Sequence, residues 1–460
     1  MTGSFEAYAK NEDVSGYAAG SNEELDVISG GINALKLAGL TTSSTGNWGA
    51  HQTRYVTTSS GKYLGVELET PVDYIVNGER WYYAVLVRIN DDGSCDKLYT
   101  DFYVGGQAAL SLMVDKEEDI WMYSGDADGH FLDANIWHYD VSADQVTNYK
   151  TQQRVGKFGE DGASYKKSTP VIDPENGKIY AILTVGNVPG WFGWCEFDIE
   201  TKEWQPYQAA EIPANVHYNY SYADGNGGFF TVAERCTQVI ATKSDVEGMK
   251  VSDAQRIFRS RDKDAGDVWD QLCLIHVPDP SVPDFELIIV EEATYDVRNG
   301  LYPTQMNAHN DVFVDSNGNF HVLYLSHDDG KPGYHKYHKI YDPSDNFKLL
   351  YSGAISFLYG PNAEYDGRFF EDTEGNFYIL ASSCNATSQI EVWKATDDLN
   401  SQFELVHNEE LTGISDNRGT GSFIVANSRG NSTTGDIANI AVSRDGTWYV
   451  YEIDLRPFAD

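Results

Sequence analysis

Histidine and tyrosine side chains recur at equivalent positions of a repeated pattern, in which a short apolar segment, a turn and an aromatic-rich segment follow one another. The turns are centred on Gly61, Glu117, Gly177, Gly227, Gly318, Gly375 and Gly430. Nine or ten residues before them stand His51 and Gln52, Gln107, Lys167 and Ser168, His217 and Tyr218, His309, Tyr365 and Asp366, and Thr420. These side chains are polar, aromatic and partly cationic, so they are the first candidates for binding and catalysis.

A second set of candidates follows eighteen residues after some of these positions. Because a strand and its antiparallel neighbour return to the same edge of a sheet, residues spaced in this way are predicted to lie side by side. The pairs are His217 with Arg235, His309 with His327, and His51 with Glu69.

Histidine, tyrosine and arginine together are the groups that β-elimination at a uronic acid requires. Histidine titrates near neutral pH, and both histidine and tyrosine can act as general base or acid. Arginine binds a carboxylate through two parallel hydrogen bonds, which makes the C5 proton of the sugar more acidic. Hydrolysis by two carboxylates would need a pair of acidic residues instead. Glu69 and Asp366 are the acidic residues at these positions, and they fall in different repeats.

The remaining histidines have simpler interpretations. His321 lies in the middle of a predicted strand and is interpreted as a packing or surface residue. His335 and His338 have a spacing seen in metal sites, but exposed alternate positions of a third strand are the favoured interpretation. His130 and His138 fall in a loop and an outer strand, and we discount both.

The repeat predicts an all-β fold. Successive turns are separated by 56, 60, 50, 91, 57 and 55 residues, and a four-stranded unit of this length is typical of a β-propeller blade. We therefore expect one domain over residues 1–460, a seven-bladed β-propeller with four-stranded antiparallel blades, in preference to a β-sandwich. Residues 1–30 form an N-terminal extension, and an insertion in the fourth blade falls around residues 240–275. The last unit is one strand short, and residues 31–40 (GINALKLAGL) are predicted to supply that strand and close the ring.

The net charge limits the kinds of molecule that are expected to bind the protein. The chain has 33 basic and 70 acidic residues and a net charge of −37. Nucleic acid and anionic membranes require a basic surface and are not expected to bind. The longest uncharged run, residues 179–195, contains three glycines and a proline and does not resemble a membrane span. The five cysteines are scattered without a CxxC pair, so neither a zinc ribbon nor a disulfide framework is indicated.

Two segments resemble a known group of enzymes. NAHNDVFVDSNGNFHVLYLSH, residues 307–327, resembles the repeats of propeller polysaccharide lyases, notably the ulvan lyases. NWGAHQTRYVTTSSG, residues 47–61, is similar to the first blade of lyases and hydrolases that act on rhamnose-capped glucuronic acid in plant gums. The resemblance implies seven blades, a central cleft, and histidine, tyrosine and arginine as working residues. His309 and His327 then match a histidine pair on one blade, and Tyr218 and Arg235 match a tyrosine and an arginine on another. The two blades stand in the opposite order in the ulvan lyases.

The expected function is that of a secreted or periplasmic polysaccharide lyase acting on a uronic-acid polymer, such as a rhamnose–glucuronate polysaccharide. The expected catalytic residues are His309, His327, Tyr218, Arg235 and His51, and the expected substrate-binding residues are His217, Gln52, Gln107, Tyr365 and Arg368. Three alternatives stay open. They are an exo-acting glycoside hydrolase on the same fold, a sialidase-like enzyme suggested by SRDGTWYV around Asp445, and a non-catalytic glycan-binding propeller.

No cofactor is expected for the chemistry. A structural calcium or zinc ion is compatible with the Asp-rich turns, although no defined loop motif marks one. We expect a monomer. The first thirty residues are polar and acidic, so we expect that any export signal has been removed or never existed.

Overall fold

The structure is a computed structural model, and the residues it describes are almost all in strands and tight turns. They are residues 27–28, 32–41, 54–69, 75–76, 79–104, 109–125, 135–150, 171–173, 176–183, 191–206, 208–215, 221–235, 271–292, 311–326, 334–360, 368–382, 389–410, 425–426, 436–444 and 447–459.

The described residues up to Glu292 form twenty strands. They are β1 (Val27–Ile28), β2 (Ile32–Thr41), β3 (Arg54–Thr58), β4 (Gly61–Glu69), β5 (Ile75–Val76), β6 (Glu79–Ile89), β7 (Cys95–Val104), β8 (Ala109–Val114), β9 (Ile120–Gly125), β10 (Asn135–Asp140), β11 (Gln145–Lys150), β12 (Val171–Asp173), β13 (Lys178–Leu183), β14 (Trp191–Asp198), β15 (Glu203–Trp204), β16 (Gln208–Asn215), β17 (Ser221–Ala223), β18 (Phe229–Arg235), β19 (Gln271–Val277) and β20 (Glu286–Glu292).

The described residues from Asp311 onwards form eleven strands and two short 3₁₀ turns, Pro343–Asp345 and Arg456–Phe458. The strands are β21 (Asp311–Val314), β22 (Phe320–Ser326), β23 (Tyr334–Asp342), β24 (Lys348–Gly360), β25 (Arg368–Glu371), β26 (Phe377–Ser382), β27 (Gln389–Ala395), β28 (Phe403–Glu410), β29 (Val425–Ala426), β30 (Ile437–Arg444) and β31 (Thr447–Asp454). Among the described residues, no helix has the length and apolarity needed to span a membrane.

The strands form antiparallel sheets whose strands mostly follow one another in chain order. Three sheets consist of β8 to β11, β21 to β24 and β25 to β28, and a fourth contains β3, β4, β6 and β7 with the short β5 beside β6. This is an all-β, β-propeller architecture with four-stranded antiparallel blades.

The number of separate sheets differs from the sequence prediction. The described strands form six sheets, not seven, because one sheet contains nine strands, β12 to β20. Strand β16 joins its two parts, since it pairs with β14 on one side and, through Ala214 and Asn215, with the end of β18 on the other.

The first strands of successive hairpins lie against one another, with β12 and β17 as the first strands of the two parts of the nine-stranded sheet. Contacts join β29 to β3, β3 to β8, β12 to β17, β17 to β21 and β21 to β25. The first strand is also at the edge of its sheet in each four-stranded unit. These first strands therefore form the inner part of the propeller.

The last sheet is completed by a strand from the N-terminal region. β2 pairs antiparallel with β31, from Ile32 opposite Ile453 to Lys36 opposite Tyr449. The prediction that residues 31–40 supply the missing strand is confirmed. The predicted extension over residues 1–30 lies outside the described residues except for β1, and the insertion around 240–275 lies outside them except for the start of β19.

An aspartate begins the turn in five of the described hairpins that join the first and second strands of a sheet, or of one part of the nine-stranded sheet. The residues are Asp115, Asp173, Asp224, Asp315 and Asp372, and one oxygen of each accepts backbone N–H groups of the turn at 2.7–3.1 Å. The residue three positions later has positive φ in four of them: Glu118, Gly227, Gly318 and Gly375. In the second unit the residue equivalent to the turn glycine is thus Glu118, one position later than the Glu117 predicted from sequence.

The second oxygen of each turn aspartate accepts a side-chain hydrogen bond. Trp121 donates to Asp115 at 2.7 Å, Tyr378 to Asp372 at 3.0 Å, and Asn176 to Asp173 at 2.7 Å. Histidine takes this place in the other two turns, where His276 bonds Asp224 and His321 bonds Asp315. A single carboxylate therefore fixes both the turn and a side chain that packs beside it.

Replacement of Leu37 by alanine tests the closing strand. Leu37 lies in β2 with 1% exposure, and we expect Leu37→Ala to lower the free energy of unfolding by about 2–5 kcal/mol, as for other buried leucines. Urea unfolding would measure the change. Leu349→Ala is the matched control, because Leu349 is 48% exposed and its loss should change stability by about 0.5 kcal/mol or less. Equal effects of the two substitutions would contradict the role assigned to β2.

Candidate functional site

The candidate residues adjoin one end of the inner strands. β21 begins two residues after His309, β8 two residues after Gln107, and β3 two residues after Gln52. The second strand of a hairpin ends where the first begins, and β22 ends at Ser326, immediately before His327. Chain connectivity thus attaches the candidates to the ends of several inner hairpins, away from the aspartate turns.

Most candidate residues lie outside the described part of the chain. These are His51, Gln52, Gln107, His217, Tyr218, His309, His327 and Tyr365. Their roles, and the roles of the two arginines below, stay predictions.

The backbones of the two candidate arginines are described. Arg368 is the first residue of β25, where it pairs with Leu380. Arg235 is the last residue of β18, where it pairs with Gln271 on one side and Ala214 on the other. Both therefore stand at the end of an inner hairpin that lies away from the aspartate turn, which we call the candidate end.

The register of strand pairing changes along β18 before Arg235. Ser221 pairs with Thr231 in β17 and β18, which is the register that the eighteen-residue spacing assumes. Nearer the end of β18, however, its partner is β16, and Ala214 stands opposite Arg235. The register along β18 thus shifts by three residues between its partners β17 and β16. His217 lies outside the described residues, so its position beside Arg235 stays a prediction.

Two of the histidines with simpler interpretations are buried and in contact. His321 is 0% exposed, which confirms that it is a packing residue. His338 is also 0% exposed, so the prediction of an exposed position is wrong for it. The pleat of β23 turns Lys336, His338 and Ile340 inwards, and all three are buried. For His335 the backbone alone is described, opposite Ser326, and His130 lies outside the described residues.

His321 and His338 form a hydrogen-bonded chain with the turn carboxylate. His321 Nε2 lies 3.1 Å from Asp315 Oδ2, and His321 Nδ1 lies 3.0 Å from His338 Nε2. Burial alone would raise the pKa of Asp315, but hydrogen bonds from His321 and Asn319 outweigh it and lower that pKa. Burial, and then the proximity of His321, hold the pKa of His338 well below its ordinary value.

One described group has the residue types of a metal site. Ligand atoms of Asp115, Asp119 and His138 lie within 4.8 Å of one another. Their oxygens, however, already accept hydrogen bonds from Trp121, from His138 at 2.9 Å, and from three backbone N–H groups. The arrangement is that of a hydrogen-bonded turn, and an Asp-x₃-Asp spacing was the signal that sequence reasoning passed over. Whether the protein carries structural calcium or zinc stays a prediction.

His276 is held between two carboxylates. Its Nε2 lies 3.0 Å from Asp224 and its Nδ1 lies 2.9 Å from Glu286, while the ring stacks on Phe230 with centroids 4.2 Å apart. Burial alone would lower the pKa of His276, but the hydrogen bonds to Asp224 and Glu286 outweigh it and raise the pKa above 6.5. The imidazolium form thus completes this turn.

Comparison with known proteins supports no family assignment. No protein-family profile matches the chain, and no curated protein sequence matches it.

Three solved structures resemble the chain in fold. Polysaccharide lyase Uly1 is 12% identical, with 89% of this chain and 90% of that chain covered and a TM-score of 0.49. An ulvan lyase bound to -[GlcA(1-4)Rha3S]- is 8% identical, with 91% and 95% covered and a TM-score of 0.49. An oligogalacturonate lyase from Vibrio parahaemolyticus is 10% identical, with 88% and 96% covered and a TM-score of 0.43. At these identities the similarity concerns the course of the backbone, and no residue role is taken from it.

Substitution of His276 by glutamine should destabilise the protein in a pH-dependent way. Since the folded-state pKa is raised, the ion pairs contribute fully below pH 6.5 and are lost as the pH rises through the folded-state value. We expect His276→Gln to lower the free energy of unfolding by about 1.5–3 kcal/mol at about pH 6, and by less at about pH 9. Urea unfolding at the two pH values measures this, and an equal loss at both would show that His276 is not charged in the folded protein.

Proposed function

We propose that the protein binds an acidic polysaccharide at the candidate end of its inner hairpins and cleaves it by β-elimination at a uronic acid. The observation that carries the proposal is the placement of the inner strands. First strands of neighbouring sheets touch, so residues attached to their ends come from several sheets and can act on one substrate.

The proposed roles follow from the chemistry of each side chain. Tyr218 and His309 move protons, one taking the C5 proton and the other protonating the leaving oxygen. Arg235 and His327 bind the carboxylate and stabilise the negative charge that develops when the proton leaves. His51 is the remaining catalytic candidate. His217, Gln52, Gln107, Tyr365 and Arg368 contact neighbouring sugars.

Charge supports an anionic substrate at this end. The chain has a net charge of −37, so a polyanion would be repelled unless the site itself is cationic. Five of the turn carboxylates stand at the opposite end of their hairpins, with their oxygens engaged in hydrogen bonds. Among the candidate residues themselves, four histidines and two arginines stand beside two acidic residues, Glu69 and Asp366.

Two finer points belong to the same proposal. The nine-stranded sheet has two parts, β12 to β16 and β17 to β20, and each repeats the hairpin order of the four-stranded sheets; counted as two blades, they make the propeller seven-bladed. We also propose that the polymer contains rhamnose and glucuronate, as the segment around His51 suggests, and that the protein acts outside the cytoplasm as a monomer.

Incubation with a panel of uronic-acid polysaccharides tests the reaction. β-Elimination leaves a C4–C5 double bond conjugated to the carboxylate, so we expect ultraviolet absorbance to rise with each cleavage of a rhamnose–glucuronate polymer. New reducing ends without absorbance would indicate a hydrolase. Binding without either product would indicate a glycan-binding propeller, and both outcomes reject the proposed lyase.

Substitutions at the candidate end test the assigned roles. Tyr218→Phe removes one hydroxyl, so we expect binding to persist while kcat falls by about two to four orders of magnitude. Arg235→Ala should impair both KM and kcat, because the substrate charge is uncompensated before and during reaction.

Arg456→Ala is the matched arginine control. Arg456 is exposed and bonds Asp454 near the end of the chain, so its loss should leave activity unchanged. If Tyr218→Phe and His309→Ala both keep full activity, the site lies on other strands, with the sheet that follows His51 as the next candidate.

A further inference from the structure

In one protonation state of the chain Asp315–His321–His338, both of its hydrogen bonds form and every N–H group of the two buried rings has an acceptor. The Asp315 carboxylate accepts from two backbone N–H groups, from Asn319 and from His321 Nε2. Acceptance of so many donors identifies the carboxylate as ionised and places a proton on His321 Nε2. In a neutral His321, Nδ1 is then an acceptor, and His338 Nε2–H donates to it.

No nitrogen of this chain can take up a further proton without leaving a buried N–H group that lacks an acceptor. His338 Nδ1 is buried and has no hydrogen-bond partner among the described residues. If the proton binds there, a buried N–H lacks an acceptor. If it binds His321 Nδ1 instead, His338 must move its own proton from Nε2 to Nδ1, with the same result. Either way a positive charge and an unsatisfied donor are buried together, which is unfavourable.

The surroundings of the two rings are mostly aromatic and belong to the next sheet. Phe369 and Phe403 lie with ring centroids 5.1 and 6.1 Å from His338, and Phe377 lies 4.5 Å from His321. These three side chains come from β25, β28 and β26. The imidazole pair therefore fills the contact between the sheet of β21 to β24 and the sheet of β25 to β28.

Among the described residues, a tyrosine is a further ionisable group beside the ring of His338. Tyr351 of β24 lies 5.7 Å from the ring of His338, and burial followed by the charge of Asp397 raises the pKa of that tyrosine. Lys336, two residues before His338, is buried on the same face of β23. Among the described ring contacts, β25, β26 and β28 present phenylalanine to the pair.

We propose that the imidazole pair His321–His338 makes the contact between these two sheets acid-sensitive, so that uptake of one proton opens it. The direction follows from linkage. The unfolded chain takes up a proton on each histidine near pH 6.5, whereas the folded protein resists it at His338. The contribution of His338 to stability is therefore complete above about pH 6.5 and decreases as the pH falls below that value, before the turn carboxylates are protonated. β25 begins at Arg368 and β21 follows His309, so the contact adjoins two strands of the candidate site; the inference itself does not depend on the proposed function.

His338→Gln separates the proton from the packing. Glutamine keeps an N–H donor for His321 Nδ1 but cannot titrate in this range. Between about pH 7.5 and about pH 5, the unfolding constant of the wild-type protein in urea should rise by up to about tenfold per pH unit for the additional proton. His338→Gln should remove that rise. His276→Gln is a matched substitution at a histidine whose pKa is shifted upwards. It should make the rise of the unfolding constant with decreasing pH steeper.

Hydrogen exchange of the wild-type protein locates the opening even if His338→Gln fails to fold. After correction for the intrinsic pH dependence of exchange, peptides from β23 and β25 should lose protection at about pH 5.5 relative to about pH 7.5, while β10 keeps its protection. The proposal is overturned if wild type and His338→Gln show the same pH dependence. It is equally overturned if β23 and β25 keep full protection, or if nuclear magnetic resonance shows His338 titrating near pH 6.5 in the folded protein.

Discussion

The hydrogen bonds of the turn aspartates are the interaction on which the other features of the structure depend. Each carboxylate accepts N–H groups from its own turn, and four of the five also accept from a side chain of a following strand. The hydrogen bonds from the backbone N–H groups set the turn and hence the register of the hairpin. The hydrogen bond from the side chain of a following strand orients that side chain towards the next sheet. A charged acceptor makes these hydrogen bonds stronger than neutral ones. Because one end of each hairpin is closed in this way, the other end is left to carry long connections.

Neighbouring turns are also joined to one another. Glu118 accepts hydrogen bonds from Ser59, Glu371 accepts from the backbone of Ser316, and Asp436 accepts from Thr373. Each of these contacts connects a turn to the following unit of the chain. The turn end of the propeller is thus a network of carboxylates and backbone donors, and this use of acidic residues accounts for part of the excess of negative charge.

Local features could be predicted from the sequence, and features that depend on a second sheet could not. An aspartate, a glycine or both mark each described turn between first and second strands, and these are local signals. The six hairpins with described turns and the strand that closes the last sheet were therefore identified correctly. The burial of His338 depends on Phe369 and Phe403 of the next sheet, and no periodicity within β23 distinguishes its two faces. Likewise, the partner of Arg235 depends on a register shift between β16 and β17, which a constant spacing cannot express. The candidate catalytic residues adjoin long connections, where sequence patterns are weakest.

Strand β16 has a consequence for how such a ring can change in evolution. Propellers grow or shrink by duplication or deletion of whole repeats, whose strands do not pair with the strands of the neighbouring repeats. β16 belongs by hydrogen bonds to both parts of the nine-stranded sheet. A gene duplication that copied one part without the other would leave an unpaired edge at Ala214 and Asn215 or at the end of β18, and exposed edges favour aggregation. At this point of the ring, a duplication that keeps all strands paired must therefore copy both repeats together.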